Sequence, residues 1–183
     1  MTPIIFTKKV DEEYFWFDMV SGGFVGVIFV NPKKEIMFQK ETGKDLFRFP
    51  GGGIDSEDGD LIGLKSQKDF LKVAKRTAVR EIKEETGKII NPSRLQLVGI
   101  SNGNNEKDPK GGQVHMRVFF SYEFLLGEDF PNGIHEMEED SHLEQYEYRW
   151  VPVQNGRADL EGKYVKVSKL HFAALIRFLR APH

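Results

Sequence analysis

Residues 80–87 read Arg80-Glu81-Ile82-Lys83-Glu84-Glu85-Thr86-Gly87. The octet sets three carboxylates at spacings of three and four, which an α-helix brings to one face. Upstream, Leu71, Ala74, Ala78 and Ile82 form an apolar stripe at the same period, so a helix is expected from about Gln67. Ser66 is a fitting N-cap, with Asp69 in the first turn, and Gly87 can close the helix with positive φ. The glutamates therefore fall at the C-terminal end, where the helix dipole disfavours anions. Grouped carboxylate oxygens suit a hard cation such as Mg²⁺ or Mn²⁺. Arg80 can orient a carboxylate through its fork of donors. The competing reading is a solvated, charged helix face.

About thirty residues earlier, Leu46-Phe47-Arg48-Phe49 reads as a short strand entering Pro50-Gly51-Gly52-Gly53, a loop whose backbone can pass close to a ligand. Phe24–Val30 is β-branched and aromatic and predicts a buried strand; Asn31-Pro32-Lys33-Lys34 is a turn, and Glu35–Lys40 its hairpin partner. Strands are also expected at 95–101, 114–124 and 146–153, with an acidic loop over 127–145. A last helix is expected at 168–180, its apolar side built from Leu170, Ala173, Ala174, Ile176 and Leu179. Strands interleaved with two helices predict an α/β chain with a mixed sheet covered on both faces.

Loop and octet together resemble the Nudix hydrolase superfamily. Its box runs Gly, five residues, Glu, seven residues, then Arg-Glu-aliphatic-x-Glu-Glu-x-Gly-aliphatic. Residues 80–87 fill the second half, and Phe49-Pro50-Gly51-Gly52 is similar to the usual approach. Two positions depart from the pattern. Counting forward from Gly52 puts Asp58 where the family has Glu, with fourteen extra residues, 59–72, before the next segment. Counting back from Arg80 puts Lys72 there instead. Lys88 stands where an aliphatic residue is usual, with Ile89 and Ile90 following.

The resemblance implies an α/β/α sandwich with a mixed central sheet and a C-terminal helix, one domain over 1–183. It implies Mg²⁺- or Mn²⁺-dependent hydrolysis of a nucleoside diphosphate linked to another group. The alternative within the family is a catalytically weakened nucleotide-sensing module. By the resemblance, Glu81, Glu84, Glu85 and the Gly52 carbonyl would bind metal, and Arg80 would hold the carboxylates. Glu144, six residues before Trp150, would add a further ligand. Glu81 and Glu144 are both candidates for the general base. Arg48 and Phe49, leading into the loop, and His115 and Arg117, on one face of an alternating strand, are candidate substrate contacts. A homodimer would fit the family's habit.

Composition narrows the alternatives. The 183 residues suit one domain, and 39% hydrophobic with 30% charged is ordinary for a globular protein. A net charge of −2 gives no basic field for stable nucleic-acid binding. With no cysteine, disulfides, zinc thiolates and cysteine nucleophiles are excluded. No signal-like start or membrane-length apolar run is present, so the expected location is cytoplasmic. His135 and His142 in the acidic stretch offer a rival transition-metal reading, and His171 is expected to be a packed or surface residue.

Overall fold

The most apolar strand of the chain, β1 (Val20–Val30), lies at the middle of the sheet. The structure, a computed structural model, describes residues 20–61, 64, 66–104, 114–131, 133–139, 142–154, 157–158, 167 and 169–181. β2 (Glu35–Glu41), β3 (Gln96–Asn104), β4 (Val114–Glu123), β5 (Gly133–Glu139), β6 (His142–Gln154) and a short β7 (Arg157–Ala158) complete the described strands. Their order is β3-β4-β1-β2-β6-β5, with β7 against β6. β1 runs parallel to β4, and the other pairings are antiparallel, so the sheet is mixed as expected.

Two helices cover the two faces. α1 (Gln67–Thr86) and α2 (Lys169–Arg180) each bury an apolar side. Val25, Val27 and Phe29 of β1 point into the core that holds Phe70, Ala74, Ala78 and Ile82 of α1. Ile28 and Val30 point the other way, into the core with Ala174, Leu175 and Phe178 of α2. That double burial is why β1 carries no polar alternation. Ser66 caps α1 by accepting the Asp69 N–H, and Gly87 closes it at φ 66°.

The acidic stretch differs from expectation. Residues 127–145 were predicted as loop, yet β5 and the start of β6 lie within them, as a hairpin pairing Met137 with Glu144. β5 is an edge strand, and edges tolerate charges that blunt further pairing. The acids at 136, 138 and 139 therefore hid a strand behind loop-like composition. Residues 46–49 differ as well. They form no continuous strand, only isolated bridges at Phe47 and Arg48.

The loop after Phe49 is wedged between β1 and β2. Arg48 exchanges both backbone hydrogen bonds with Gln39 on β2, each 2.8 Å. On the other side, Val27 and Val25 of β1 donate to the carbonyls of Pro50 and Gly52, each at 2.9 Å. Gly51 has φ 134°, and a β-carbon there would lie 2.0 Å from the Val25 carbonyl oxygen. Gly51→Ala should therefore cost more than about 3 kcal/mol in urea unfolding, through strain and backbone clash. Gly53→Ala, where a β-carbon meets nothing within 4 Å, should cost under about 1 kcal/mol and serves as the control.

Candidate active site

Arg80 sits at the centre of the octet's chemistry. Its Nε donates to Asp58 Oδ1 at 3.0 Å and its Nη2 to Asp58 Oδ2 at 2.8 Å, a bidentate pair. Nη1 reaches Glu84 Oε2 at 2.9 Å, and Nη2 also reaches the Gly53 carbonyl at 2.9 Å. Glu81 lies 3.0 Å away, Asp55 3.3 Å and Glu57 3.4 Å. One guanidinium thus faces five carboxylates. Hydrogen bonding to Asp58, chiefly, holds its pKa further above an already high value, against the opposing effect of burial.

Of the two positions offered by the box alignments, Asp58 is the one that contacts Arg80. Its side chain is 3% exposed and also accepts from Thr77 Oγ1 and the Asp55 N–H, each at 3.0 Å. Burial pushes its carboxyl pKa up, but the Arg80, Asp55 and Thr77 hydrogen bonds outweigh that and leave it lowered. Lys72, the other possibility, is exposed and pairs with Asp69 on the first turns of α1. The extra residues 59–72 comprise the described parts of the 59–66 connection and the leading turns of α1, which begins at Gln67.

The three glutamates are not equivalent. Glu84 is 42% exposed, Glu81 13% and Glu85 5%. Glu85 continues the stripe Ala74, Ala78, Ile82 onto the buried side of α1. Both of its carboxylate oxygens are held. Arg48 Nη2 donates to Oε1 at 2.8 Å, and the Gly51 N–H donates to Oε2 at 2.6 Å. The fully buried Gln39 lies beside it. Its amide draws the carboxyl's pKa down but makes no hydrogen bond of ordinary geometry. Tyr148 donates its hydroxyl to the Glu85 backbone carbonyl, satisfying one orphan acceptor at the helix end. Glu81 presses against Gly52, where a β-carbon would lie 2.3 Å from Oε2. A larger residue there would push the Glu81 carboxylate aside.

Burial pushes both Glu81 and Glu85 up to about 7; Arg80 offsets this for Glu81, and Arg48 for Glu85. Among the described residues, no three acids or histidines form a ready cation cage. The arginines and the Gly51 amide hold the carboxylates instead. The donor set nonetheless fits a hard divalent ion. It is all oxygen, it carries more negative than positive charge, and Glu81 lies against the Gly52 backbone. The Gly52 carbonyl already accepts the Val25 N–H and keeps one lone pair.

The remaining expected residues divide. Arg48 joins the site through Glu85 and also lines a cavity of about 500 Å³ with Glu41, Lys44, Asp45, Leu46, Phe47 and His171. Phe49 is a correction. Its ring is fully buried, stacked on Phe38 at 5.1 Å, so it supports the loop and presents no face to a substrate. His115 and Arg117 lie on β4 in register with Gly22 and Phe24. Phe119, on the same alternation, packs in the α2-side core, so they lie on that face and line neither the described cavity nor the carboxylate cluster. Glu144 is on β6, and its side chain lies outside the described residues, as do those of His135 and His142. Gln39, Tyr148 and His171 were not singled out as site residues. Alternation along β2 and β6 could have placed the first two on the box-facing side.

Glu81 gives a pH test. Below pH 4.5 it is protonated both folded and unfolded, so its burial carries no penalty. Stability falls as pH rises from 4.5 to about 7, where the folded carboxyl ionises. In chelator at pH 8, Glu81→Gln should therefore raise unfolding stability by roughly 1–3 kcal/mol, with the gain vanishing below pH 4.5.

Comparison with known proteins agrees with the fold. A family model for the NUDIX domain matches residues 22–170. An RNA pyrophosphohydrolase of Marinomonas sp. (strain MWYL1) is 27% identical over 79 residues. That match covers 43% of this chain and 39% of the relative. A MutT NUDIX hydrolase from Burkholderia pseudomallei superposes with TM-score 0.50 at 18% identity, covering 85% of this chain and 96% of its own. The NUDIX domain of Shewanella oneidensis NrtR, crystallised with ADP ribose, superposes with TM-score 0.52 at 11% identity, covering 93% and 92%. With the Arg80 cluster, the Gly52 loop and the sandwich in place, the chain belongs to the NUDIX domain family.

Proposed function

We propose that this protein hydrolyses the pyrophosphate linkage of a nucleoside diphosphate derivative, using Mg²⁺ or Mn²⁺. The observation that carries the reading is the Arg80 fork, which gathers Asp58, Glu81 and Glu84 beside the Gly52 backbone. Glu81, Glu84, Glu85 and the Gly52 carbonyl are the groups to hold the ions, with Glu144 as a further ligand. Bound there, divalent ions screen the charge of the pyrophosphate and acidify a water. The name of the Marinomonas relative supports the same bond class.

The chain's own part is positional. Arg80 fixes the carboxylates so that their oxygens need not reorganise during reaction. Asp58 holds Arg80 in turn, so the shorter acid keeps the role at this box position. Arg48 separates the carboxylates from the cavity, and its buried Nε–H has no partner in the described structure. A proton leaving the attacking water goes to Glu81 or Glu144.

Glu84→Gln should lower Mg²⁺-dependent substrate hydrolysis, followed chromatographically, at least about a hundredfold, and chelator should abolish it in the wild type. The panel is nucleoside triphosphates, dinucleoside polyphosphates, ADP-ribose and nucleotide sugars. Near-wild-type turnover in Glu84→Gln and Glu85→Gln would sink the assignment. Binding without turnover across the panel would point to a nucleotide-sensing module instead. Of Glu81→Gln and Glu144→Gln, the one whose pH–rate profile loses its acid limb identifies the base.

A further inference from the structure

The first turn of α2 carries a histidine in an apolar nest. His171 is 5% exposed, and its ring packs edge-on or tilted against Phe24, Phe49 and Phe119 at centroid distances of 5.6, 5.6 and 5.3 Å. A leucine would fill such a nest more cheaply. The ring earns its place through Nδ1, which accepts the Phe49 N–H at 3.0 Å across 122 residues of sequence. Burial, with the charge of Arg48 nearby, holds the imidazole neutral by pushing its pKa down to about 3. Nδ1 is therefore an acceptor at any working pH, with the proton on Nε2.

The backbone of the loop shows why this bond matters. Arg48 pairs with Gln39 of β2, while the Pro50 and Gly52 carbonyls pair with β1. The Phe49 N–H is met by a side chain from α2 instead. The residue before it, Arg48, holds one oxygen of Glu85, and Gly51, two residues after it, holds the other. The same Arg48 and His171 also line the cavity.

We propose that His171 is a positioning residue. Its Nδ1 fixes the Arg48–Phe49 peptide, at the head of the short segment that ends at Gly51, and so sets the aim of both donors on Glu85 without touching the reacting atoms. His171 lies one residue beyond the stretch that the NUDIX domain model matches, 22–170. The effect on turnover rests on the hydrolase reading above; the contact itself does not.

Three variants test it. Asn places its Oδ1 where Nδ1 stands, Gln carries its amide past that point, and Leu keeps bulk with no acceptor. Exchange of the Phe49 amide is followed by NMR, and kcat and KM are measured with Mg²⁺ and the best panel substrate. His171→Leu and His171→Gln should expose the Phe49 amide and lower kcat by about tenfold or more, with KM within about twofold. His171→Asn should keep the amide protected and kcat within about threefold of wild type. Wild-type exchange and kcat in His171→Leu would overturn the proposal, and so would His171→Asn as impaired as His171→Gln. If His171→Leu does not fold, the Asn and Gln pair decides. Should the wild type turn over no substrate of the panel, the hydrolase reading fails, and Phe49 exchange alone still judges the His171 contact.

Discussion

One guanidinium sets the arrangement of the site. Arg80 makes a two-pronged bond to a nearly buried Asp58 while reaching Glu81, Glu84 and the Gly53 carbonyl. Without it, acids from the loop and from α1 would face one another in a partly desolvated space, a cost that no surface pairing matches. With it, the segment before the 59–66 connection and the fourth and fifth turns of α1 are tied at one point. The added residues can then lie between fixed ends, and the site does not have to absorb them.

Glu85 shows a second layer of the same logic. A carboxylate on the apolar stripe of a helix is tolerable only if both oxygens are met, and here Arg48 and the Gly51 amide meet them. The Pro-Gly-Gly loop therefore presents Gly52 toward Glu81 and also braces the buried end of α1. Gly51 and Gly52 are small for different reasons. Gly51 needs a positive φ and lies against the Val25 carbonyl; Gly52 must leave room for the Glu81 carboxylate.

Much of this was legible in the sequence. The octet, its helix with Ser66 and Gly87 as caps, the doubly apolar β1 and the glycine loop are local patterns, and each is found where its pattern placed it. The edge strand β5 was not legible, because charge at a sheet edge imitates the composition of a loop. The inequality of the glutamates was half legible. Extending the stripe 74, 78, 82 by one step reaches Glu85, whereas its partners Arg48 and Gln39 lie about forty residues upstream and no local pattern links them. His171 was the least legible, since a lone histidine on an amphipathic helix reads as packing until the Phe49 amide is seen beside it.

The pairing of β1 with β4 has a consequence for how the chain acquires its structure. Val25 lies against Val118, and the hairpin partner β2 meets β6 more than a hundred residues later. The central strand can form only a short local turn with β2 before these distant partners arrive. Chain entropy must be surrendered to close those loops before most of the core is gained, and folding slows as the share of such distant contacts rises. During synthesis, the anionic octet leaves the ribosome well ahead of α2. The loop at 49–53 takes contacts from β1, from α1 and, through His171, from α2, so its full set of partners is complete only after the last helix is made.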